Sequence, residues 1–174
     1  LGLFCGSEGT FGIATEITVR LCRNQQEVRT MLASFKSMSE ACRSVGDIVN
    51  AGLIPAALEI LDQATIQAVE ASIYRAGYPK NAAAVLLVEL DGPPEVVQDD
   101  ADEIAQIFTE RNALKVEQAT DPNERKKLWK GRKGAFGAMG RIDTDLYVLD
   151  GVVPRTRLEE ALTKITEIGE RHQV

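Results

Sequence analysis

A single histidine, His172, stands among the 174 residues. It falls in the last turn of a predicted final helix, where a solvated side chain is the ordinary finding, so it is discounted as catalytic. Without a second histidine no Ser-His-Asp or Cys-His arrangement can be assembled, and zinc patterns built on histidine or paired cysteine are excluded. The three cysteines, Cys5, Cys22 and Cys42, show no Cys-x-x-Cys spacing. They read as small buried hydrophobes of a reducing compartment, which argues against a disulfide framework or a metal site. No apolar run approaches the ~20 residues of a membrane span. The net charge is −6, and no like-charge block exceeds Arg125, Lys126 and Lys127, so the electrostatic footprint of nucleic-acid binding is missing. Signal-like segments, short-period repeats and low-complexity stretches are also lacking.

What is present begins with glycine. Gly6, Gly9 and Gly12 lie within seven residues, beside the hydroxyls of Ser7 and Thr10. Ile13, Thr15, Ile17 and Val19 then alternate with Ala14, Glu16, Thr18 and Arg20, which predicts a turn followed by a half-buried strand ending near Leu21. Such a turn either holds a nucleotide phosphate on successive N–H groups or is a tight entry to a strand. Spacing favours the plain turn, because the dinucleotide fingerprint opens a helix where this segment opens a strand. The chain starts inside an approach strand to this turn, residues 1–5, which suggests a piece of a longer protein.

After a polar linker at residues 23–27, strands and helices alternate. Residues 28–35 predict a strand, followed by a helix capped by Ser37 or Ser39 whose apolar side includes Met38, Ala41, Cys42, Val45, Ile48 and Val49. Residues 57–61 form a second strand containing Glu59, and Asp62 caps a helix over residues 64–75. The longest apolar run, residues 82–90, is a central strand. Pro94 then suits the first turn of a helix over residues 95–111 with Val97, Ala101, Ile104, Ile107 and Phe108 inward. A strand at residues 114–119, a helix over 123–139 started by Asp121 and Pro122, a strand at 146–153 and a helix at 154–173 complete the pattern. Leu158, Leu162, Ile165 and Ile168 are expected to face inward on that helix. The alternation allows parallel βαβ units or an antiparallel sheet, and the open last βαβ half favours an α+β, ferredoxin-like antiparallel sheet with helices packed on one face.

Glu59, Glu89 and Asp91 lie in or beside predicted strands, where a carboxylate is a buried functional acid or, more ordinarily, a strand-end group facing water. Trp129, Phe136 and Met139 read as core or interface. Arg132 follows Trp129 just before Gly134, Gly137 and Gly140. Glycine costs ~1 kcal/mol per helical position, so this cluster implies that something packs closely or that the helix ends early. Arg132 itself suits either bidentate capture of a substrate carboxylate or a surface ion pair.

Residues 6–16, Gly-Ser-Glu-Gly-Thr-Phe-Gly-Ile-Ala-Thr-Glu, closely resemble the Gly-Ser-Glu-Gly-Thr-Leu-Gly-Ile-Val-Thr-Glu motif of FAD-linked oxidases and dehydrogenases of the vanillyl-alcohol oxidase class. Downstream segments agree in order: Gly52-Leu53-Ile54-Pro55 with Leu58-Glu59 and Asp62; residues 87–92; Trp129 with Arg132-Lys133 and Ala135-Phe136; and Asp150-Gly151 with Val153-Pro154-Arg155. Within the class the chain is similar to flavin subunits of bacterial glycolate oxidases and to D-lactate and D-2-hydroxyglutarate dehydrogenases.

The resemblance implies that residues 1–22 end an FAD-binding domain and that residues 23–174 are a substrate, or cap, domain. It implies FAD contact by Glu8, Gly9, Thr10, Phe11, Gly12, Ile13 and Ala14, with Phe11 and Ala14 replacing the usual Leu and Val. It assigns substrate carboxylate binding to Arg132, and places Phe136 and Val148 where D-2-hydroxyglutarate dehydrogenases have threonine and lysine, which favours a small 2-hydroxyacid such as glycolate or D-lactate. No catalytic or metal-binding residue is expected in this chain; by the resemblance the main FAD-binding region lies before Leu1 and the histidine-rich segment beyond Val174. The chain alone is expected to be inactive and without flavin. Partner subunits of a glycolate oxidase complex, a cytoplasmic location and peripheral attachment to the inner membrane through those subunits are further implications. The competing reading from the residues alone is a non-catalytic ferredoxin-like regulatory or interaction module, since the fold by itself specifies no function.

Overall fold

The computed structural model describes residues 1–172. Its centre is the apolar run expected to be a central strand. The order of elements is β1 (Glu27–Phe35), α1 (Met38–Asn50), β2 (Ala57–Asp62), α2 (Gln63–Glu70), β3 (Ala84–Gly92), α3 (Pro94–Glu110), β4 (Lys115–Gln118), α4 (Pro122–Met139), a 3-10 turn (Arg155–Arg157) and α5 (Leu158–His172). The sheet runs β2-β3-β1-β4. Every pairing is antiparallel, with Leu32 opposite Leu87, Leu58 opposite Val88 and Ala33 opposite Val116. Because β3 lies between β1 and β2, and β1 between β3 and β4, two split βαβ units interleave. This is the ferredoxin-like order, and parallel pairing is ruled out within the sheet.

Helices cover both faces of the sheet rather than one. Met31, Ala33 and Phe35 of β1 and Leu86, Val88 and Leu90 of β3 meet α1 and α3. The alternate residues Leu32, Val85 and Leu87 meet α2 and α4. Residues with a period of two point to opposite faces, and β3 has to be apolar at nearly every position because both faces are covered. On the first face Phe108 meets Phe35 edge-on, with centroids 6.0 Å apart. The predicted α3 stripe is the buried set observed, and Ser37, Asp62 and Asp121 accept the helix-starting N–H groups as capping side chains.

Several expectations are corrected. Residues 1–5 form turns, and neither residues 13–21 nor 146–153 form a strand. Alternation supplies β propensity but no neighbouring strand, and Ile13, Ile17 and Val19 stay exposed. Cys5 and Cys22 lie in that unpacked stretch and are exposed; Cys42 alone is buried. Burial, aided by Glu159, pushes the Cys42 thiol above its ordinary value. The apolar side of α5 is half-buried at Leu158 and Leu162 but exposed at Ile165 and Ile168, because the helix packs mainly on α1 and its own leading turn. Residue 173, the expected last residue of that helix, lies outside the described residues.

α2 stops at Glu70, earlier than the predicted residue 75. The Glu70 side chain is the reason: it is 6% exposed, and its Oε1 accepts N–H bonds from Ala76 (2.9 Å), Gly77 (2.8 Å) and Tyr78 (2.9 Å). Gly77 supplies the φ of +90° that this curl of backbone requires. The pinned loop carries two aromatics onto α4. Tyr78 donates its hydroxyl to the Leu128 carbonyl, and burial pushes its phenol up to about 12, so it remains a neutral donor. A Cβ on Gly131 would meet the Tyr78 hydroxyl at 2.6 Å, and a Cβ on Gly134 would collide with the Tyr74 ring. Close packing therefore accounts for Gly134, while α4 continues unbroken to Met139.

A second attachment fixes the other end of α4. Arg125 binds Glu89 of β3 through two bonds, Nε to Oε2 at 2.9 Å and Nη2 to Oε1 at 2.8 Å. Thr30 donates to the same carboxylate at 2.8 Å, and the Trp129 indole N–H donates to it as well. Glu89 thus neither faces water nor stands free. Burial alone would raise its pKa, but the bonds from Arg125, Thr30 and Trp129 outweigh it and hold the group below the usual carboxylate range.

Two outcomes follow for stability. Glu70→Ala leaves three donors, two of them buried, without their acceptor, and urea unfolding should show a loss of about 2–3 kcal/mol, with Glu70→Gln recovering part of it through its remaining carbonyl. For Glu89, the depressed folded pKa means that its contribution is present above the ordinary 4.5 and is lost as pH falls through the lower folded value. Thermal midpoints of the wild type and Glu89→Gln should therefore differ most at neutral pH and converge as pH falls below 4.5 through the folded value; parallel curves would contradict the assignment.

Candidate functional site

Arg132 projects from the middle of α4 toward β2, at the open edge of the sheet. Its Nε donates to Oε2 of Glu59 at 2.9 Å, and the two side chains are 41% and 32% exposed. The pair sits in a cleft of about 480 Å³ bordered by β2, by Thr65 of α2, by Ala135 of α4, and by Leu158 and Leu162 of α5. Both of the residue-level readings of Arg132 thus meet in one place: it makes an ion pair, and that pair opens on a cavity of ligand size.

The ion pair leaves the guanidinium with binding capacity. Glu59 engages Nε, and among the described residues neither terminal nitrogen of Arg132 has a protein acceptor. Those nitrogens can take a carboxylate in the fork geometry that arginine favours. Glu59 holds the guanidinium in orientation, and the half-exposed setting keeps the stabilisation by the pair itself small. The apolar Leu158, Leu162 and Ala135 leave space for a small carbon skeleton beside the charge. The cleft has few polar groups, and no set of three or more His, Cys, Asp or Glu side chains able to hold a metal occurs among the described residues.

The glycine segment has a different character. Gly6, Gly9 and Gly12 have φ of 83°, 80° and 148°, and Glu8, with φ of 50°, joins them in the left-handed region. Thr10 N–H bonds Ser7 O at 2.9 Å, closing a turn. Among the described residues, the N–H groups of Glu8, Gly9, Phe11, Gly12, Ile13 and Ala14 have no acceptor. Successive free N–H groups on a backbone bared by glycine are the donor set a phosphate takes, so the chemistry of this stretch fits a dinucleotide. These residues are exposed and do not border the Arg132 cleft.

Of the other residues considered from sequence, Asp91 is exposed, Phe136 is 64% exposed beside Arg132 on α4, Trp129 and Met139 pack in the second core, and His172 is exposed at the end of α5. Val148 lies in an exposed extended stretch. Sequence reasoning missed Glu70 and Arg125, the residues that set where α4 lies. For Glu70 the signal was its place four residues after Ile66, on the buried side of α2. For Arg125 the signal was the acid Glu89 inside an otherwise apolar run, which needs a cationic partner.

Three comparisons bear on identity. The model of the family described as "FAD linked oxidases, C-terminal domain" matches residues 24–174. The glycolate oxidase subunit GlcD of Escherichia coli (strain K12) is 43% identical over 174 residues, covering 100% of this chain and 35% of the relative. The GlcD subunit of Bacillus subtilis (strain 168) is 36% identical over 172 residues, covering 99% and 36%, and a D-lactate dehydrogenase of Anaerostipes hadrus is 28% identical over 172 residues, covering 94% and 36%. The chain therefore spans little more than a third of the relatives it matches. A solved structure of alkyldihydroxyacetonephosphate synthase superposes with a TM-score of 0.71 at 18% identity, covering 98% of this chain and 36% of that one; it shares the fold.

Proposed function

The chain belongs to the family of C-terminal domains of FAD linked oxidases, and on that premise we propose that it is the substrate-covering part of an FAD-dependent oxidoreductase acting on a small 2-hydroxyacid, glycolate or D-lactate. In this reading residues 1–22 complete an FAD-binding domain and residues 23–174 form the cap. The similarity along the whole chain to glycolate oxidase subunits supports the substrate class, and the observation that carries it is Arg132 in its cleft.

The roles of this chain's residues follow from their chemistry. Arg132 takes the substrate carboxylate on its terminal nitrogens, while Glu59 holds the guanidinium by Nε. Leu158, Leu162 and Ala135 offer apolar surface beside the carbon skeleton. Phe136, one turn along α4, offers no donor for a second carboxylate, which selects against dicarboxylic hydroxyacids. The free N–H groups of Glu8, Gly9, Phe11, Gly12, Ile13 and Ala14 would hold FAD, with Thr10 closing the turn between them, and FAD when bound supplies the acceptor for the hydride leaving the α-carbon. The regulatory-module alternative has no observation in its favour. Partner subunits, as the names of the glycolate oxidase relatives suggest, are part of the proposal, and through them attachment at the inner membrane. No helix among the described residues is long and apolar enough to cross a membrane.

The test uses the intact oxidoreductase. Glycolate or D-lactate added without acceptor should bleach its visible flavin absorbance, and 2-hydroxyglutarate should not. Loss of a charge-assisted bidentate contact is worth about 1.5–3 kcal/mol, so Arg132→Ala should raise KM by roughly 10- to 100-fold, with Arg132→Lys recovering only part. An unchanged kcat/KM would remove Arg132 from the site.

A further inference from the structure

At the end of the sheet opposite β2, β4 pairs with β1 and borders no other strand among the described residues. Ala119 N–H donates to Thr30 O at 2.9 Å, and the register sets Glu117 opposite Leu32 and Lys115 opposite Ser34. In an antiparallel ladder every second residue exchanges bonds with the one opposite, so Ala119, Glu117 and Lys115 turn their backbone groups toward β1. Val116 and Gln118 turn theirs outward, where they form a template for another strand. On the α2–α4 side a hollow of about 320 Å³, bordered by Glu117 and Gln118 and by Gly77, Glu124 and Lys127, leaves room beside this edge.

Charge decides what can pair there. Lys115 and Glu117 share the α2–α4 face of the sheet, bond each other at 2.5 Å and are 61% and 38% exposed. Val116 points to the other face and packs against the first core. A second copy related by a two-fold axis perpendicular to the sheet keeps each face on its own side and presents the same strand in the opposite direction. With the axis at Val116, the outward N–H and C=O of the two Val116 residues meet each other, and Lys115 of each copy stands opposite Glu117 of the other. The four side chains then form a square of alternating charge. Moving the axis by one residue sets Glu117 against its own copy, or Lys115 against its own, and like charges directly opposite are destabilising.

We propose that the outer edge of β4 is a dimerisation surface whose partner is a second copy of this chain, paired antiparallel about Val116 so that the two sheets become continuous. Lysine on an edge strand ordinarily discourages pairing; here the two-fold axis turns it into an attraction for one partner in one register. The proposal stands on the backbone phase and the charges of β4 and is independent of what Arg132 binds.

Sedimentation velocity of the intact oxidoreductase over a concentration series tests it. The wild type should pass from monomer to dimer as concentration rises. Lys115→Glu and Glu117→Lys should each weaken the dimer by roughly 10-fold or more, because like charges then stand opposite one another twice across the axis. The two variants mixed in equal amounts should associate again, since opposite signs face each other in the mixed dimer, and misfolded chains would give no such recovery. A wild type that stays monomeric throughout, a dimer that neither variant weakens, or variants that remain apart when mixed would each overturn the proposal.

Discussion

One buried carboxylate governs where the site lies. Glu70 gathers three consecutive backbone N–H groups and so fixes a loop that would otherwise bury unsatisfied donors. The loop presents Tyr74 and Tyr78 to α4, and α4 can approach only because Gly131 and Gly134 have no side chain to obstruct them. That approach, secured at the other end by Glu89 and Arg125, brings Arg132 to the edge of β2. The position of Arg132 thus rests on an acid in a different helix that does not border the cleft.

Two different uses of carboxylates are visible. Glu70 and Glu89 are enclosed and multiply bonded, and their work is structural. Glu59 is half-exposed and bonds Arg132 by a single contact, leaving the rest of the guanidinium for a ligand. An anion that enters the cleft therefore meets a cation that is oriented but not fully neutralised. A fully enclosed bidentate pair, such as Arg125 with Glu89, offers no such opening. This contrast is why Arg132, and not Arg125, is the candidate anchor.

Much of the fold was legible because its signals are local. Capping by Ser37, Asp62 and Asp121 needs only a side chain and the N–H groups a few residues on, and the α3 stripe needs only helical spacing. The apolar run of β3 declared a central strand through its composition alone. What was not legible depends on partners distant in sequence: Glu89 and Arg125 lie 36 positions apart, and the covering of both sheet faces follows from where α2 and α4 return. The two segments expected as strands, residues 13–21 and 146–153, show the same limit, since alternation specifies a conformation without supplying a neighbour. At the site, the sequence singled out Arg132 and the glycine turn by residue type, and the pairing with Glu59 emerged only from where α4 comes to lie beside β2.

Arg132, proposed to anchor the substrate carboxylate, is seated by the close contact of α4 with the Tyr74 loop. The test is the dissociation constant of acetate, an unreactive monocarboxylate small enough for the cleft, read from the flavin spectrum of the intact oxidoreductase carrying Gly134→Ala. Acetate should bind more weakly with flavin retained, because the added methyl displaces α4 and carries Arg132 with it. Acetate binding unchanged in that variant would contradict the anchoring role of Arg132.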